Sequence, residues 1–291
     1  MQSSPLKKPG WIRVSAPFGD SWKRVNLVLE KHRLRTVCDE AQCPNKGECW
    51  GAGTATFMLL GAVCTRSCRF CAVATGREGR PPESGEGEGI ARAAEELGLS
   101  YVVLTSVDRD DLGDRGAGHF ASCIRALKDR LPGVTVEVLI PDYTEAELPP
   151  ILEAAPDVIG CNVETVRSLQ WVRDRRASFD KTLVSLRAAK SGGAPVTKSS
   201  FILGLGEKEE EVLSAMDELR AAEVDILVMG QYLRPTAKQL PVAEYLDPER
   251  FDWYAGEACR RGFSAVVSSP FARTSYHAFD TARAAARGER P

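Results

Sequence analysis

Six of the nine cysteines fall between Cys38 and Cys71, in two triplets of unlike spacing: Cys38-x4-Cys43-x5-Cys49 and Cys64-x3-Cys68-x2-Cys71. Clustered thiolates are soft ligands, suited to zinc or to iron–sulfur clusters. Structural zinc takes four Cys or His ligands, commonly in CxxC-like pairs, and neither triplet has that form. With only three histidines, His32, His119 and His277, completing two zinc sites would be awkward. Three thiolates on a [4Fe–4S] cluster, by contrast, leave one iron without a cysteine and open to a substrate, a cofactor or another side chain. Two metal clusters, each with an open iron, are therefore the chemistry the spacing suggests.

Composition fits that chemistry and excludes others. The balance of 38 Lys+Arg against 40 Asp+Glu gives a net charge of -2, which argues against a surface built for bulk nucleic-acid binding. No run approaches the roughly 20 apolar residues of a membrane span, and the N-terminal MQSSPLKKPGWIRV lacks the apolar core of a signal peptide. A reducing cytoplasm is the expected compartment, where an odd number of clustered cysteines serves as metal ligands rather than disulfides.

The elements that must position the thiols follow from periodicity. Residues 1–37 carry Pro5, Pro9 and Pro17 and a short helical pattern through Val25, Val28 and Leu29, as in an arm laid over a larger body. Pro44, Asn45 and Gly47 interrupt the first triplet and favour a tight loop over a regular helix. From Thr54 onward, strands and helices alternate. The expected strands are 54–61, 101–105, 134–140, 157–162, 196–203 and 225–229, separated by helical patterns and followed by a last helix over about 249–261. Six βα units imply a parallel sheet with right-handed crossovers. The expected fold is α/β, a partial (β/α)6 TIM-type barrel over 54–265, with an N-terminal extension over 1–53 and a C-terminal extension over 266–291; a doubly wound sheet is the alternative. In either fold, function gathers at the carboxyl ends of the strands. Polar residues collect there: Asp108, Arg109, Asp110 and Asp111, then Asp142, Asn162 and Glu164, then Gln231 and Arg234.

The second triplet, CTRSCRFC, with Phe70 before its last cysteine, resembles the cluster loop of radical S-adenosylmethionine enzymes. The first triplet, VCDEAQCPNKGECW, followed by GTATFMLLG, LTSVDRDDL, GAGHF, VEVLIPDY, NVET, GLGE, GQYLRPTAKQLPV and PFARTSYHA, extends the resemblance along nearly the whole chain to the lipoyl synthases. The resemblance implies two [4Fe–4S] clusters and S-adenosylmethionine. Cys64, Cys68 and Cys71 would hold the cluster whose open iron binds S-adenosylmethionine and whose electron releases a 5′-deoxyadenosyl radical. Cys38, Cys43 and Cys49 would hold an auxiliary cluster that donates sulfur to C6 and C8 of an octanoyl-lysine on a carrier protein. The family's Arg-Ser-Ser-Tyr tail, whose second serine ligates the auxiliary cluster, is here Arg273-Thr274-Ser275-Tyr276, so Ser275 inherits the ligand role. A hydroxyl oxygen is a hard ligand poorly matched to a sulfur-rich cluster, which suits a bond meant to break.

Other residues admit a structural role beside the functional one. Asn162 and Glu164 have the chemistry to hold ribose hydroxyls. Arg173 is either a fork for the methionine carboxylate or a solvated surface arginine. Asp108–Asp111 either line the cofactor site or form a charged loop. Gly204-Leu-Gly206 needs no dinucleotide to explain it. Cys161 stands where the family has histidine and reads as a buried strand residue near the barrel mouth; Ala62 stands where an acidic residue is common. Cys123 and Cys259 read as core. Arg234 and Lys238 are placed to meet an acidic carrier.

The expected partners are octanoylated lipoyl-carrier domains (2-oxoacid dehydrogenase E2 or glycine cleavage H protein), an electron donor such as ferredoxin or flavodoxin, and an iron–sulfur carrier for repair, with no nucleic acid and no membrane. A biotin-synthase-type sulfur-inserting enzyme is the nearest rival, but has no natural use for the first triplet or the tail. A non-catalytic iron–sulfur electron carrier would call for fully cysteine-ligated clusters.

Overall fold

A computed structural model describes residues 6–13, 19–51 and 56–275, with Ala278, Thr281, Ala282 and Ala285 beyond them. The expected strand start at Thr54, the tail residues Tyr276 and His277, and Pro5 and Pro17 lie outside the described residues.

The arm contributes α1 (Asp20–Lys31), whose apolar stripe Val25, Val28 and Leu29 is buried. The first triplet is less loop-like than its prolines suggested. Cys38 sits in the single turn α2 (Val37–Glu40), capped by Thr36, whose hydroxyl accepts from the Asp39 N–H. Cys49 sits in α3 (Lys46–Gly51), and Cys43 lies in the link between them, where Gln42 takes a positive φ of 53°. Pro44 and Asn45 thus break one helix into two short ones rather than abolishing both.

The main sheet then begins with β1 (Thr56–Leu59). A small parallel pair, β2 (Val63–Cys64) and β3 (Ala74–Thr75), closes the second triplet into a loop. Next come α4 (Glu86–Leu97), β4 (Tyr101–Ser106), α5 (Ala117–Arg130), β5 (Thr135–Leu139), α6 (Leu148–Glu153), β6 (Val158–Gly160), a 3-10 segment Arg167–Val172, α7 (Phe179–Ser191), β7 (Val196–Leu203), α8 (Glu209–Ala221), β8 (Ile226–Gln231), α9 (Pro248–Arg260) and β9 (Ala265–Ser268). The order β1-β4-β5-β6-β7-β8-β9 is sequential and every pairing is parallel, as βα alternation requires. The six expected units are present, and β9 adds a seventh strand that the alternation did not announce. α6 is shorter than expected because Thr144 and Glu147 cap one another ahead of Pro149 and Pro150.

The two faces of the sheet bury different things. Val102, Leu104, Val136, Val138, Ile159, Leu227 and Met229 belong to one large core with the helices. The alternating residues Val158, Val196, Ile226, Val228 and Ala265 pack instead against Ala272 and Ala282 of the C-terminal segment. That segment therefore returns along the inner face of the sheet. At Gly230 the approach leaves no room for a side chain: a Cβ there would stand 2.0 Å from the Ala272 carbonyl oxygen.

Candidate functional site

The loop of the second triplet is held by buried charge. The Arg66 guanidinium, 5 % exposed, lies 3.2 Å from Asp108, 3.0 Å from Asp110 and 2.7 Å from Asp142, and Arg115 adds a 2.8 Å pair to Asp142. Thr65 donates to Asp110 at 2.8 Å, and Asp174 accepts from the Ser67 N–H at 3.0 Å. Asp108 and Asp110, with Asp142, are thus spent on fixing this loop, and Asp111 on chelating Arg109; none of them lines the cavity described below. Two backbone N–H groups already point at the thiols, Arg66 to Cys64 Sγ at 3.4 Å and Asp174 to Cys68 Sγ at 3.3 Å. Burial pushes the Cys64 thiol up to about 11, aided by the Asp108 charge, and Cys68 up to about 12; Cys71 moves in the same direction for the same reason. Thiols held this far from ionisation need a cation to become thiolates.

A cavity of about 530 Å³ opens beside this loop and runs along the inner face of the sheet, from Thr56 and Tyr101 at the starts of β1 and β4 to Leu139 and Gln231 at the carboxyl ends of β5 and β8. Its wall carries all three cysteines of the first triplet, Phe70 and Cys71 from the second, Asn162 and Glu164 after β6, and Arg273, Thr274 and Ser275 from the tail. Burial raises Cys38 to about 11 and Cys49 to about 12, with neighbouring cysteines adding to both shifts. The tail is pinned by Asn45, which donates to the Phe271 carbonyl at 2.7 Å, and by the Gln231 N–H on the Pro270 carbonyl at 3.1 Å. Arg273 donates to the Ala272 carbonyl at 2.6 Å and has no carboxylate within ion-pair range among the described residues. Burial depresses its pKa while the nearby Cys43 opposes the shift.

Glu164 occupies the left-handed region, φ 65°, a conformation costly for a non-glycine residue and often tied to function. Burial raises its pKa, against the charge of Arg173 and a hydrogen bond from Asn162. The Asn162 amide donates to Glu164 Oε1 and to Thr274 Oγ1, both at 3.1 Å, while its Oδ1 is buried with no partner. A buried acceptor left bare on a residue of the cavity wall is one that a hydroxyl-bearing ligand would satisfy on turning the side chain toward it. Arg173 is half-buried rather than solvated. It does not line the cavity, and its Nη1 braces the backbone around Val163 and Ser178 and the Thr182 hydroxyl.

Gln231 is a structural hub that also reaches the cavity, donating to the carbonyls of Leu203 and Glu244 and accepting from the Leu246 N–H. Arg234 is half-buried on the Gln239 carbonyl and Lys238 is exposed. Cys161 is buried against the Pro141 carbonyl, away from the cavity, and Cys123 is core, as expected. Cys259 is not core but exposed: the buried stripe of α9 is Phe251, Tyr254 and Ala258, and Cys259 is turned about 100° from it. Two features escaped sequence reading. One is the set Thr274, Ser200 and Asn162 behind the tail. The other is a buried network that reaches the cavity wall at Tyr101, where Lys198 lies 3.0 Å from Glu137 and Glu137 accepts from Tyr101 at 2.5 Å. Opposite charges inside two apolar strands, VEVLI and VTKSSFIL, were the available signal for the second.

The geometry discriminates between one metal ion and a cluster. Thiolates on a single zinc sit roughly 3.8 Å apart, from Zn–S bonds of about 2.3 Å. Among the described residues the one trio of Cys, His or carboxylate groups whose ligand atoms all fall within 4.8 Å of one another is Glu86, His119 and Cys123, on the helices; neither triplet does. Neither triplet is closed enough for a lone ion, and three thiols with an open fourth position are the donor set of a [4Fe–4S] cluster. No described helix is long and apolar enough to cross a membrane.

Comparison with known proteins agrees with this geometry. The radical SAM superfamily model matches residues 58–219. The chain is 49% identical over 276 residues to a lipoyl synthase of Marinobacter nauticus, covering 94% of this chain and 79% of that one. It is 50% identical over 275 residues to the lipoyl synthase of Methanocella arvoryzae, 93% of each chain, and 50% identical to that of Thermus thermophilus, 93% of this chain and 85% of that one. Among solved structures, the fold resembles HydG, a maturase of the [FeFe]-hydrogenase, with TM-score 0.58 at 13% identity over 85% of this chain and 63% of that one. It also resembles methylornithine synthase (PylB), with TM-score 0.53 at 16% identity over 78% of this chain and 63% of that one. With a radical SAM core over more than half its length and half-identical relatives along nearly all of it, the chain belongs to the lipoyl synthase family of radical SAM enzymes, which use S-adenosylmethionine and iron–sulfur clusters.

Proposed function

We propose that the two triplets divide the lipoyl synthase reaction, the insertion of sulfur at C6 and C8 of a protein-bound octanoyl-lysine, between two [4Fe–4S] clusters. Cys64, Cys68 and Cys71 would hold the cluster that serves S-adenosylmethionine, and Cys38, Cys43 and Cys49, with Ser275, would hold the cluster that supplies sulfur. An unactivated aliphatic C–H offers neither an acidic proton nor a leaving group, so these groups supply what side chains cannot: one-electron cleavage of the cofactor, hydrogen abstraction and sulfur.

The chain's own residues bind and orient. Asn162 and Glu164 take the ribose hydroxyls, the amide oxygen being the acceptor that lacks a donor. Phe70 packs beside the cofactor, and Arg173 acts through the backbone of the Asn162–Glu164 turn rather than by direct contact. The backbone N–H groups of Arg66 and Asp174 tune the second triplet by donating to its sulfurs. In this division, residues 1–53 and 266–291 are arms that bring ligands to one cluster across a barrel formed by 54–265.

The observation that carries the proposal is the single cavity whose wall unites the first triplet, Cys71, Asn162, Glu164 and Ser275. An octanoyl chain entering it meets both centres.

The carrier is an octanoylated E2 or H-protein domain approaching the exposed Arg69, Trp171 and Lys238, where Arg69 stacks on Trp171 at 5.2 Å. A ferredoxin or flavodoxin delivers electrons, an iron–sulfur carrier rebuilds the spent cluster, and the cytoplasm is the compartment that keeps the thiols reduced.

The test is to replace one cysteine of each set. The parent chain, reconstituted without oxygen, should bind about eight irons, and each variant about four. Cys68→Ala should lose S-adenosylmethionine cleavage; Cys43→Ala should keep cleavage and lose sulfur insertion. Equal loss of cleavage in both would contradict the division.

A further inference from the structure

The residue before Ser275 sits where two subsites meet. Thr274 Oγ1 accepts from Asn162 Nδ2 at 3.1 Å and shares a second hydrogen bond, also 3.1 Å, with Ser200 Oγ on β7. Ser200 is buried, so this is an anchor and not a solvent contact. The tail on either side has little other side-chain purchase: Arg273 bonds to carbonyls of its own segment, and Ser275 makes no hydrogen bond to a described residue.

The same contact governs Asn162. An amide presents two donors on one side and an acceptor on the other. Here both donors are claimed, one by Glu164 and one by Thr274, which turns Oδ1 to the remaining direction, where it is buried and bare. Without the Thr274 hydroxyl, one of the two acceptors that define this orientation is gone and the amide is free to flip.

We propose that the Thr274 hydroxyl is a positioning group shared by both subsites: it holds the 273–275 turn so that Ser275 faces the first triplet, and it fixes the Asn162 amide, on the cavity wall, in one orientation with its donors on Glu164 and Thr274. Thr274 makes no contact with a reacting atom and acts through its two neighbours. The inference rests on the assignment of Ser275 and Asn162 made above. Serine at this position keeps the hydroxyl, and the family resemblance places serine here.

The test uses Thr274→Val, which keeps shape and removes the hydroxyl, and Thr274→Ser, which keeps the hydroxyl and removes the methyl. The first readout is the electron paramagnetic resonance and Mössbauer signature of the first cluster, recorded in the full chain with Cys64, Cys68 and Cys71 replaced by alanine. The second is S-adenosylmethionine binding to the otherwise intact holoenzyme, by calorimetry.

Thr274→Val should shift the cluster signature in the same direction as Ser275→Ala and weaken cofactor binding about fivefold, the worth of one hydrogen bond; Thr274→Ser should restore both. If Ser275→Ala shifts the signature and Thr274→Val does not, the positioning role falls and the ligand stands. If Ser275→Ala changes nothing, the ligand assignment fails and takes the inference with it. Movement of only one readout in Thr274→Val also overturns the shared role. Circular dichroism checks folding, and Thr274→Ala, with the same expected outcomes, replaces a valine variant that does not fold.

Discussion

The closest approach of the tail to the sheet can be turned into a perturbation. Gly230→Ala places a methyl 2.0 Å from the Ala272 carbonyl oxygen, 3.0 Å from its carbonyl carbon and 2.9 Å from Arg273 Nη1. Two of these are backbone atoms, which cannot rotate away. A carbon atom does not sit much closer than about 3 Å to an oxygen in a packed interior, so the tail must retreat by about 1 Å. That displacement carries the two 3.1 Å hydrogen bonds of Thr274 past the useful limit of about 3.5 Å. Overpacking costs about 1–3 kcal/mol and each lost hydrogen bond about 1 kcal/mol, so a loss near 2–4 kcal/mol is expected, partial relaxation being shared between the two effects. Urea unfolding of the metal-free chain measures it, with Gly113→Ala as control, since Gly113 is exposed and a Cβ there meets nothing within 4 Å. The same variant, reconstituted, should retain iron on the three cysteines of the first triplet and lose the signature of its oxygen ligand. A midpoint within about 0.5 kcal/mol of the parent would refute the claim that the tail is locked at Gly230.

Three other perturbations test separate parts of the structure. Arg66→Met takes from Asp108 its nearest cation and from Asp110 and Asp142 one partner each, Asp142 keeping Arg115; breaking a buried ion cluster from one side should cost about 3–5 kcal/mol and reduce iron retained by the second triplet, read by thermal melting and iron analysis. Lys198→Met should cost a similar about 3–5 kcal/mol by leaving Glu137 unpaired, whereas the triple change Lys198→Met, Glu137→Leu and Tyr101→Phe should recover most of it, because an apolar core replaces the whole network; equal melting of single and triple variants would show that the charges are not coupled. Glu164→Gly relieves a positive φ worth about 1 kcal/mol while removing the carboxylate, so melting should hold steady or rise as S-adenosylmethionine binding weakens at least about tenfold; a clear fall in melting temperature would mark the carboxylate as structural.

Much of the fold was legible because parallel βα units write themselves as alternating apolar runs and helical stripes. Val196–Leu203 and Phe179–Ser191 appear very nearly where periodicity placed them. β9 was missed because AVVS is four residues long and three of them are only half-buried at the sheet edge. α2 and α3 were missed because a single helical turn has no period to detect; what makes them are caps and turns, such as Thr36 on Asp39. For the site, cysteine spacing identified the ligand candidates, and the resemblance linked Ser275 to Cys38, Cys43 and Cys49 across more than 200 residues, a proximity no local pattern contains. The side-chain partners were not legible. Nothing in the string Arg-Asp-Asp says that Asp110 faces Arg66 while Asp111 faces Arg109, or that Arg173 braces a backbone turn, because those choices are made by tertiary packing.

If one chain brings a hydrogen-abstracting centre and a sulfur source to the same cavity, the mass of the product shows it directly. The reconstituted chain, given an octanoyl-lysyl peptide, S-adenosylmethionine and a reductant without oxygen, should yield peptide that has gained two sulfur atoms. Cleavage of S-adenosylmethionine with no sulfur gained by the peptide would contradict it.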